Sequence, residues 1–510
     1  MTEKQALVKR TMTNSIMNLS GFVVSVLVAL VLIPFIVDHI GLEKYGIYGL
    51  FIALLGPLGI TNIGFNQASI KYISEYQGKG DYEQINRYFQ TNLSMVLGFG
   101  LLGSILIYFF GFDLIRHFFL IDPEDHELIQ NCLMYVTFMW FIGQLNNVLS
   151  AIPIAFQRFV YLGIGNILLT LINAGLVVVL IGRGLEGLLL AYCIGNGILL
   201  FIWIIFIKRI SPQIRFGLKI HKGALKKTSV FAGWQTLGQL GAILSQQAEK
   251  YIIGALFSKV TLGIYIIAHD LHAKLYMPIY KLFEVLFPLF SSMSSGDDQS
   301  VRRVILSKSS WFANTLAAII MIPFIPIAKS FLTVWISEEV AISGSPILIA
   351  LLISAAVSAC SLPLIMYFTG NAKTRFIAAT TIVGGIISVS ISWVLLRKFD
   401  ITYAGYGALA AFTLRHLIYI VRIKLLEPKF AVLELINVTI IPILASLTLN
   451  LVVGYYWNPD ATSWIEIIVY YGLMVVGSIA VVLFAVLLTD NFSTRMADFK
   501  TLLKNSTKRT

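Results

Sequence analysis

Long apolar stretches recur along the whole chain and are separated by short polar connections. A helix needs about 20 mainly apolar residues to cross the hydrocarbon layer of a membrane. About fourteen windows meet this requirement, and they lie near 14–36, 47–69, 88–112, 127–152, 161–181, 185–207, 228–254, 261–290, 309–334, 346–368, 376–395, 404–423, 433–453 and 464–489. No connection between them is long enough for a soluble catalytic domain. The pattern therefore predicts an all-α polytopic membrane protein with about 14 transmembrane helices.

Composition agrees with this pattern. Apolar residues make up 57% of the chain and charged residues 13%, whereas about 25% of a soluble domain is charged. The basic N-terminus resembles a signal peptide, but the apolar run at 14–36 is too long for one, so it predicts the first span. All three cysteines fall in apolar runs, which predicts packing rather than disulfides or thiolate metal ligands.

The distribution of positive charge fixes a direction. Most of the 38 Lys and Arg residues lie in alternate connections, on the side that the N-terminus occupies. By the positive-inside rule both termini are cytoplasmic, in a bacterial plasma membrane. The net charge of +12 is then a topology signal and not a nucleic-acid-binding surface. The connection 208–227 is the most basic, which favours a linker that also contacts anionic lipid headgroups.

An internal repeat is visible in three ordered landmarks. Gly46-Ile47-Tyr48 recurs as Gly263-Ile264-Tyr265, Pro153 recurs as Pro363, and Gly187 recurs as Gly407, at offsets of 210 to 220 residues. Six spans restore the same orientation, so the two six-helix lobes are related by a pseudo-two-fold axis along the membrane normal. The sequence therefore predicts five segments, which are a lobe at 1–207, a basic linker at 208–227, a second lobe at 228–424, two additional helices at 425–489 and a basic cytoplasmic tail at 490–510.

Ionisable residues concentrate in the eighth span, although each costs about 2.5–3.5 kcal/mol to insert. Asp270, Lys274, Lys281 and Glu284 fall on one helical face. They predict the lining of a watery cavity. An alternative interpretation is that Asp270 and Lys274 form only a stabilising i,i+4 ion pair.

Other spans carry polar residues that extend this cavity. In the seventh span Gln239, Gln246 and Lys250 share a face, with Glu249 beside them, and Arg415 lies in the middle of the twelfth span. Further cavity candidates are Asn14, Asn18, Asn62 and Asn66, which are equally consistent with hydrogen bonding between helices. Cations outnumber anions in this set, which favours an anionic substrate. His269 and His272 do not share a face, so no metal site is predicted.

Several short segments resemble one known family. They are Pro34–Tyr48, Gln157–Phe159, Gln247–Gly254, Gly263–Tyr265 and Leu286–Pro288. In order and position they are similar to the Wzx-like polysaccharide flippases, which serve O-antigen, lipopolysaccharide, capsule or exopolysaccharide synthesis. This family belongs to the multidrug/oligosaccharidyl-lipid/polysaccharide exporter superfamily.

The resemblance implies a transporter that flips an undecaprenyl-diphosphate-linked oligosaccharide by alternating access. It implies a central cavity lined by spans one, two, seven and eight, in which Lys274 and Lys281 fit the cationic role. Glu249 stands where the family often has Asp, and Asp270 and Glu249 are candidate ion-coupling residues. No cofactor is implied beyond a proton or sodium gradient or the membrane potential. A glycan polymerase and chain-length proteins are implied partners.

Three alternatives remain open. A cation-coupled multidrug exporter of the same superfamily requires a cavity dominated by acids. A lipid II flippase would carry a peptidoglycan precursor. A membrane glycan polymerase or glycosyltransferase requires large outer loops, and the longest one here, near 112–126, is short. The chain contains no sequence motif of an enzyme active site, so we expect a transporter.

Overall fold

The computed structural model describes residues 3–283, 286, 290, 299–371, 373–426, 432–456 and 461–488. Only the backbone is described for helix residues 3–20, 57, 58, 60–63, 231, 234–246, 299–301, 374, 432–440 and 486–488. Glu284 and the predicted tail 490–510 lie outside the described residues.

Every regular element in the described part of the chain is helical, which confirms the all-α prediction. The α-helices are α1 (Glu3–Leu58), α2 (Ile60–Gly78), α3 (Tyr82–Phe118), α4 (His126–Ala155), α5 (Phe159–Leu180), α6 (Gly184–Ile210), α7 (Lys222–Leu256), α8 (Lys259–Phe283), α9 (Gln299–Ile320), α10 (Ala328–Trp335), α11 (Glu338–Gly370), α12 (Thr374–Lys398), α13 (Tyr406–Leu426), α14 (Val432–Tyr456) and α15 (Trp464–Leu488). Short 3₁₀ turns at Pro123–Asp125, Ile181–Arg183, Ile322–Phe324 and Ile401–Tyr403 connect some of them.

Eight stretches of the described residues are long and apolar enough to cross a membrane. One of them, Gly21–Gly56, includes parts of the first two predicted spans, and another, Phe159–Ile210, contains the fifth and sixth. The first pair is separated only by Gly41, whose φ of 80° and ψ of 160° interrupt α1. These stretches confirm a polytopic membrane protein, and the total of fourteen spans stays a prediction.

Local sequence signals explain where several helices begin. Asp81 accepts a hydrogen bond from the Gln84 amide (3.0 Å) at the start of α3, and Ser258 accepts one from the Thr261 amide (3.2 Å) at the start of α8. Such caps satisfy amides that have no partner inside the helix. The span predicted at 309–334 is wrong as one continuous helix. It is broken after Ile320 by a turn that contains Pro323, because proline lacks the amide that would continue the ladder.

The helices form two compact units, which we describe separately. The first unit is Lys9–Ile266. In it α4 packs against α3 and α6, and α7 packs against α2 and α3. Polar side chains join helices inside its apolar core: buried Asn92 donates to Ser69 Oγ (2.7 Å), and Asn146 donates to the carbonyl of Asn196 (3.0 Å). Such bonds stabilise helix pairs where lipid offers no competing partner.

The second unit consists chiefly of Ile267–Thr510. Within it α13 packs against α11 and α12, while α14 and α15 pack against each other and against α9. Ser446 donates to the carbonyl of Ala318 (2.7 Å) and to Ser478 Oγ (3.0 Å), and Asn450 donates to Ser478 (2.8 Å). This buried network fixes the last two described helices to α9.

The paired repeat landmarks have matching surroundings. A Cβ added at Gly46 would lie 1.9 Å from the carbonyl oxygen of Lys259, and one added at Gly263 would lie 2.7 Å from that of Leu42. The two glycines of this pair therefore line one close helix contact inside the first unit. Gly187 and Gly407 each permit close approach to a carbonyl of the preceding helix, at Leu180 and Ser388. The predicted domain boundaries, by contrast, stay a prediction.

Candidate substrate-binding site

Helix α8 carries the charges that the sequence singled out. Asp270, Lys274 and Lys281 are all partly buried on it. Among the described side chains, Asp270 and Lys274 do not form an ion pair: Asp270 lies 3.6 Å from Nδ1 of His269 instead. The interpretation of Asp270 and Lys274 as a stabilising i,i+4 pair is therefore wrong. No described residue forms a salt bridge or hydrogen bond with Lys274, so its charge is available to a ligand.

Tyr276 brings three helices of the second unit together. Its hydroxyl lies 3.2 Å from Ser358 Oγ on α11. The guanidinium of Arg415 on α13 is close enough to act electrostatically on the hydroxyls of Tyr276 and of Tyr419. Arg415 and Tyr276 therefore belong to one polar cluster, and Tyr276 and Ser358 are members that the sequence analysis missed.

Arg415 has no carboxylate partner among the described residues. Its guanidinium carbon lies 4.9 Å from the centre of the Phe412 ring, and its Nε atom is buried with no hydrogen-bond partner in the described structure. An aromatic face favours a cation only weakly. A guanidinium with unused donors at this depth is suited to bind an anion, because its planar fork matches phosphate oxygens.

Hydrogen bonds on both sides hold α13 in place. His416 is 8% exposed and its Nδ1 lies 3.0 Å from Ser361 Oγ on α11. The hydroxyl of Tyr419, fully buried, lies 3.1 Å from Thr380 Oγ1 on α12. These bonds fix the rotation of α13 about its axis, and therefore the direction of Arg415.

The first unit contains a buried carboxylate. Glu249 on α7 is 4% exposed, and the Tyr265 hydroxyl donates to its Oε2 atom (2.9 Å). Next to it, Lys250 is 6% exposed. The Tyr251 hydroxyl donates to the carbonyl of Ala53, which connects α7 to α1. Glu249 is therefore enclosed by protein.

The remaining candidates are only partly described. Asn66 is partly buried on α2, and its Oδ1 atom has no hydrogen-bond partner among the described residues. Asn14 and Asn18 lie in α1, Asn62 in α2, and Gln239 and Gln246 in α7, but their side chains lie outside the described set. Their role in the cavity stays a prediction.

An ion-pair cluster that the sequence analysis missed lies where α7 meets α8. Lys259 is 7% exposed and donates to Glu43 (2.7 Å), Asp122 (2.8 Å) and Asp125. The carboxylate oxygens lie within 4.8 Å of one another around a cavity of 270 Å³. Such spacing suits a metal ion, but the ammonium group already contacts all three carboxylates. We therefore interpret the cluster as an ion-pair network that joins three connections of the first unit.

The pKa values in this cluster follow from its geometry. Burial acts to lower the pKa of Lys259, but hydrogen bonds to Asp122, Asp125 and Glu43 outweigh burial and raise it above its usual value. The hydrogen bond from Lys259, followed by its charge, lowers the pKa of Asp122 from its ordinary 3.8. The ionised Asp122 carboxylate therefore stabilises the folded state fully at pH values above its ordinary pKa of 3.8. This contribution is lost as the pH falls through the lowered pKa of the folded state.

We expect Lys259→Met to reduce the free energy of unfolding by about 1–3 kcal/mol near pH 7, because three carboxylates would lose their shared cation. Acidification should reduce the difference in free energy of unfolding between the variant and the wild type. Protonation of the three carboxylates removes their attraction to Lys259 in the wild type and their mutual repulsion in the variant. Thermal unfolding in detergent between pH 7 and pH 3 measures this.

Lys79→Met is the control for Lys259→Met, because Lys79 pairs with Glu75 (2.8 Å) on an exposed helix end. Its loss should leave the free energy of unfolding nearly unchanged, because ion pairs that are exposed to solvent contribute little. Equal effects of the two substitutions would contradict the interpretation of Lys259 as the centre of a network.

Comparison with known proteins shows which family the chain belongs to. Residues 11–294, more than half of the chain, match the family described as "Polysaccharide biosynthesis protein". A protein of Shigella flexneri named "Putative O-antigen transporter" is 23% identical over 351 residues, which cover 67% of this chain and 80% of that protein.

Two solved structures share the fold. The lipid II flippase MurJ in an inward closed conformation aligns with a TM-score of 0.67 and 16% identity, over 93% of this chain and 98% of that one. An inward-facing multidrug resistance MATE family transporter of the MOP superfamily aligns with a TM-score of 0.69 and 15% identity, over 82% and 100%. In agreement with the resemblance to Wzx-like flippases, the chain belongs to the polysaccharide biosynthesis protein family, and its long apolar helices are those of a multi-pass membrane protein.

Proposed function

We propose that this transporter moves an undecaprenyl-diphosphate-linked oligosaccharide from the cytoplasmic to the outer leaflet of the plasma membrane by alternating access. The observation that carries the proposal is the absence of a carboxylate partner for Arg415 and Lys274 among the described residues. An uncompensated cation in a membrane helix is costly. A diphosphate would supply the missing negative charge.

The hydroxyl groups around Arg415 support the same substrate class. The Tyr276 hydroxyl, within electrostatic range of Arg415, and Ser358 Oγ, 3.2 Å from that hydroxyl, each offer a donor and an acceptor. A sugar attached to a diphosphate presents hydroxyl groups within a few ångströms of the phosphates. The protein hydroxyls are therefore suited to bind the sugar while the guanidinium binds the diphosphate. The lipid chain would remain in the bilayer, since only the polar head needs a hydrated path.

Energy coupling is the part of the proposal that rests on carboxylates within the helices. Glu249 is buried and accepts a hydrogen bond from Tyr265, an environment in which gain or loss of a proton changes the local hydrogen bonding. We propose Glu249, with Asp270, as candidate groups for coupling to a proton or sodium gradient. Cytoplasmic termini and assembly with a glycan polymerase and chain-length proteins belong to the same proposal.

A cation-coupled multidrug exporter is the second candidate, favoured by the MATE-like fold. A cationic drug would need an excess of acids in the cavity. The charge balance argues against it. Among the predicted cavity residues whose side chains the structure describes, the cations Lys250, Lys274, Lys281 and Arg415 outnumber the carboxylates Glu249 and Asp270.

Depletion of the protein in its native cells should distinguish the candidates. We expect an undecaprenyl-diphosphate-linked surface-glycan intermediate to accumulate on the cytoplasmic leaflet and surface polysaccharide to fall. Thin-layer chromatography and mass spectrometry of the lipid extract measure this, and re-expression of the wild type is the control. Accumulation of lipid II instead would support the peptidoglycan alternative, and retention of a cationic dye without lipid accumulation would support drug export.

A further inference from the structure

Residues 211–221, here called the strap, connect α6 to α7 without helical structure and lie along the start of α3. Asn86 on α3 donates to the carbonyl of Gln213 (3.1 Å) and accepts from the Arg215 amide (2.7 Å). Gln90 donates to the carbonyl of Arg215 (3.1 Å). Side chains of α3 thus satisfy both backbone groups of Arg215.

Further contacts hold both ends of the strap. The His221 amide donates to Thr91 Oγ1 (3.1 Å), and Lys208 Nζ donates to the carbonyl of Ile214 (2.7 Å). Ile214 is fully buried, and the Phe216 ring meets Phe89 edge-on at 5.5 Å between centroids. The strap therefore has a fixed conformation, and part of its backbone is hydrogen-bonded to protein rather than to water. This suits a position at the edge of the hydrocarbon layer.

The strap presents apolar side chains outward. Leu218 is 67% exposed and Ile220 56%, and Val230 near the start of α7 is 60% exposed. The strap follows the end of α6 and lies along the start of α3, and both helices belong to stretches apolar enough to cross a membrane. Exposed aliphatic side chains at that level lie where headgroups give way to acyl chains, and their burial in that region is favourable.

Exposed cations accompany these apolar side chains. No acidic residue occurs between Lys208 and Phe231. The exposed basic residues of this stretch include Arg209, Arg215, Lys219, Lys222, Lys226 and Lys227. Positive charge next to exposed aliphatic groups is the combination by which peripheral segments bind anionic bilayers.

We propose that the strap is a binding surface for anionic phospholipid headgroups. Arg215 and Lys219 contact the lipid phosphates, and Leu218 and Ile220 enter the interfacial region. The preformed conformation lowers the entropic cost of binding. The surface holds the cytoplasmic end of the first unit at a fixed depth in the membrane. The proposal is independent of the transported substrate.

Titration of the purified full chain in detergent with phosphatidylglycerol, followed by native mass spectrometry, tests the proposal. Each cation near an anionic surface contributes about fivefold in affinity. Arg215→Gln combined with Lys219→Gln should therefore weaken phosphatidylglycerol binding at least about tenfold. Both side chains are exposed, so the fold should be retained. Binding of phosphatidylcholine should be weak and unchanged.

The matched control removes another exposed basic pair, Lys373→Gln with Arg375→Gln. This variant should bind phosphatidylglycerol within about twofold of the wild type, because its cations have no exposed aliphatic strap beside them. Equal losses in both variants, equal binding of the two lipids, or displacement of the lipid by millimolar inorganic phosphate would each overturn the proposal.

A second measurement tests insertion of the apolar side chains. The three native cysteines are buried, so Leu218→Cys can be labelled selectively with an environment-sensitive fluorophore in nanodiscs that contain phosphatidylglycerol. Quenching by spin-labelled acyl chains with protection from iodide is the expected result. Quenching by iodide alone would show that the strap lies in water and would overturn the proposal.

Discussion

Replacement of Arg415 by Gln should reduce export of surface polysaccharide at least about tenfold while the protein remains in the membrane at its normal level. A charge-assisted hydrogen bond to an ionised group is worth about 1.5–3 kcal/mol, which corresponds to roughly a tenfold to hundredfold change in binding. Arg415 has no carboxylate to release among the described residues, so its removal should not leave a buried charge unpaired. The measurement is surface glycan per cell, normalised to transporter abundance.

Two further variants sharpen the Arg415 experiment. Arg415→Lys keeps the charge but loses the planar fork, so it should fall between the wild type and Arg415→Gln. Arg422→Gln on the same helix is the control, because Arg422 lies over the Phe376 ring (5.5 Å), outside the Tyr276 cluster. Normal export by Arg415→Gln, or an equal defect in Arg422→Gln, would contradict an anion-binding role.

Replacement of Gly46 by Val should lower stability by about 3 kcal/mol or more. A Cβ there would lie 1.9 Å from a backbone carbonyl of Lys259, which cannot move aside as a flexible side chain can. The helix that contains Gly46 would have to withdraw from the start of α8. The measurement is the unfolding temperature in detergent together with the yield of monodisperse protein.

Gly98→Ala on α3 is the matched control for Gly46, because nothing lies within 4 Å of the position where its Cβ would be added. Alanine favours helix over glycine by up to about 1 kcal/mol, so this variant should be as stable as the wild type or slightly more so. A tolerated Gly46→Val would show that the close contact between the repeat landmarks does not stabilise the first unit.

Properties that depend on residues near in sequence were largely predictable. Apolar periodicity indicated the helices, and the glycine landmarks marked positions at which one helix closely approaches another. The prediction of one continuous helix at 309–334 was wrong at Pro323. Proline has no amide hydrogen to continue the helical hydrogen bonds, and the prediction considered only the hydropathy of this segment.

The candidate site was predictable only as a set of positions. The arithmetic that put Asp270 and Lys274 on one face is sound, but it could not show that Asp270 lies next to His269. Tyr276 and Ser358 escaped notice because neither is ionisable and because their contact joins residues 82 positions apart. The Lys259 network likewise brings together Glu43, the Asp122–Asp125 segment and Lys259, which are far apart in the sequence, so no local pattern indicates it.

The boundary between the two compact units falls inside α8, between Ile266 and Ile267. Hydrogen bonds along an uninterrupted helix make it resist bending, so a tilt imposed on its first two turns displaces the residues that follow. Gly263 and Lys259 hold those first turns against the α1 region. Lys259 and Gly263 therefore couple the first turns of α8 mechanically to the α1 region within the first unit.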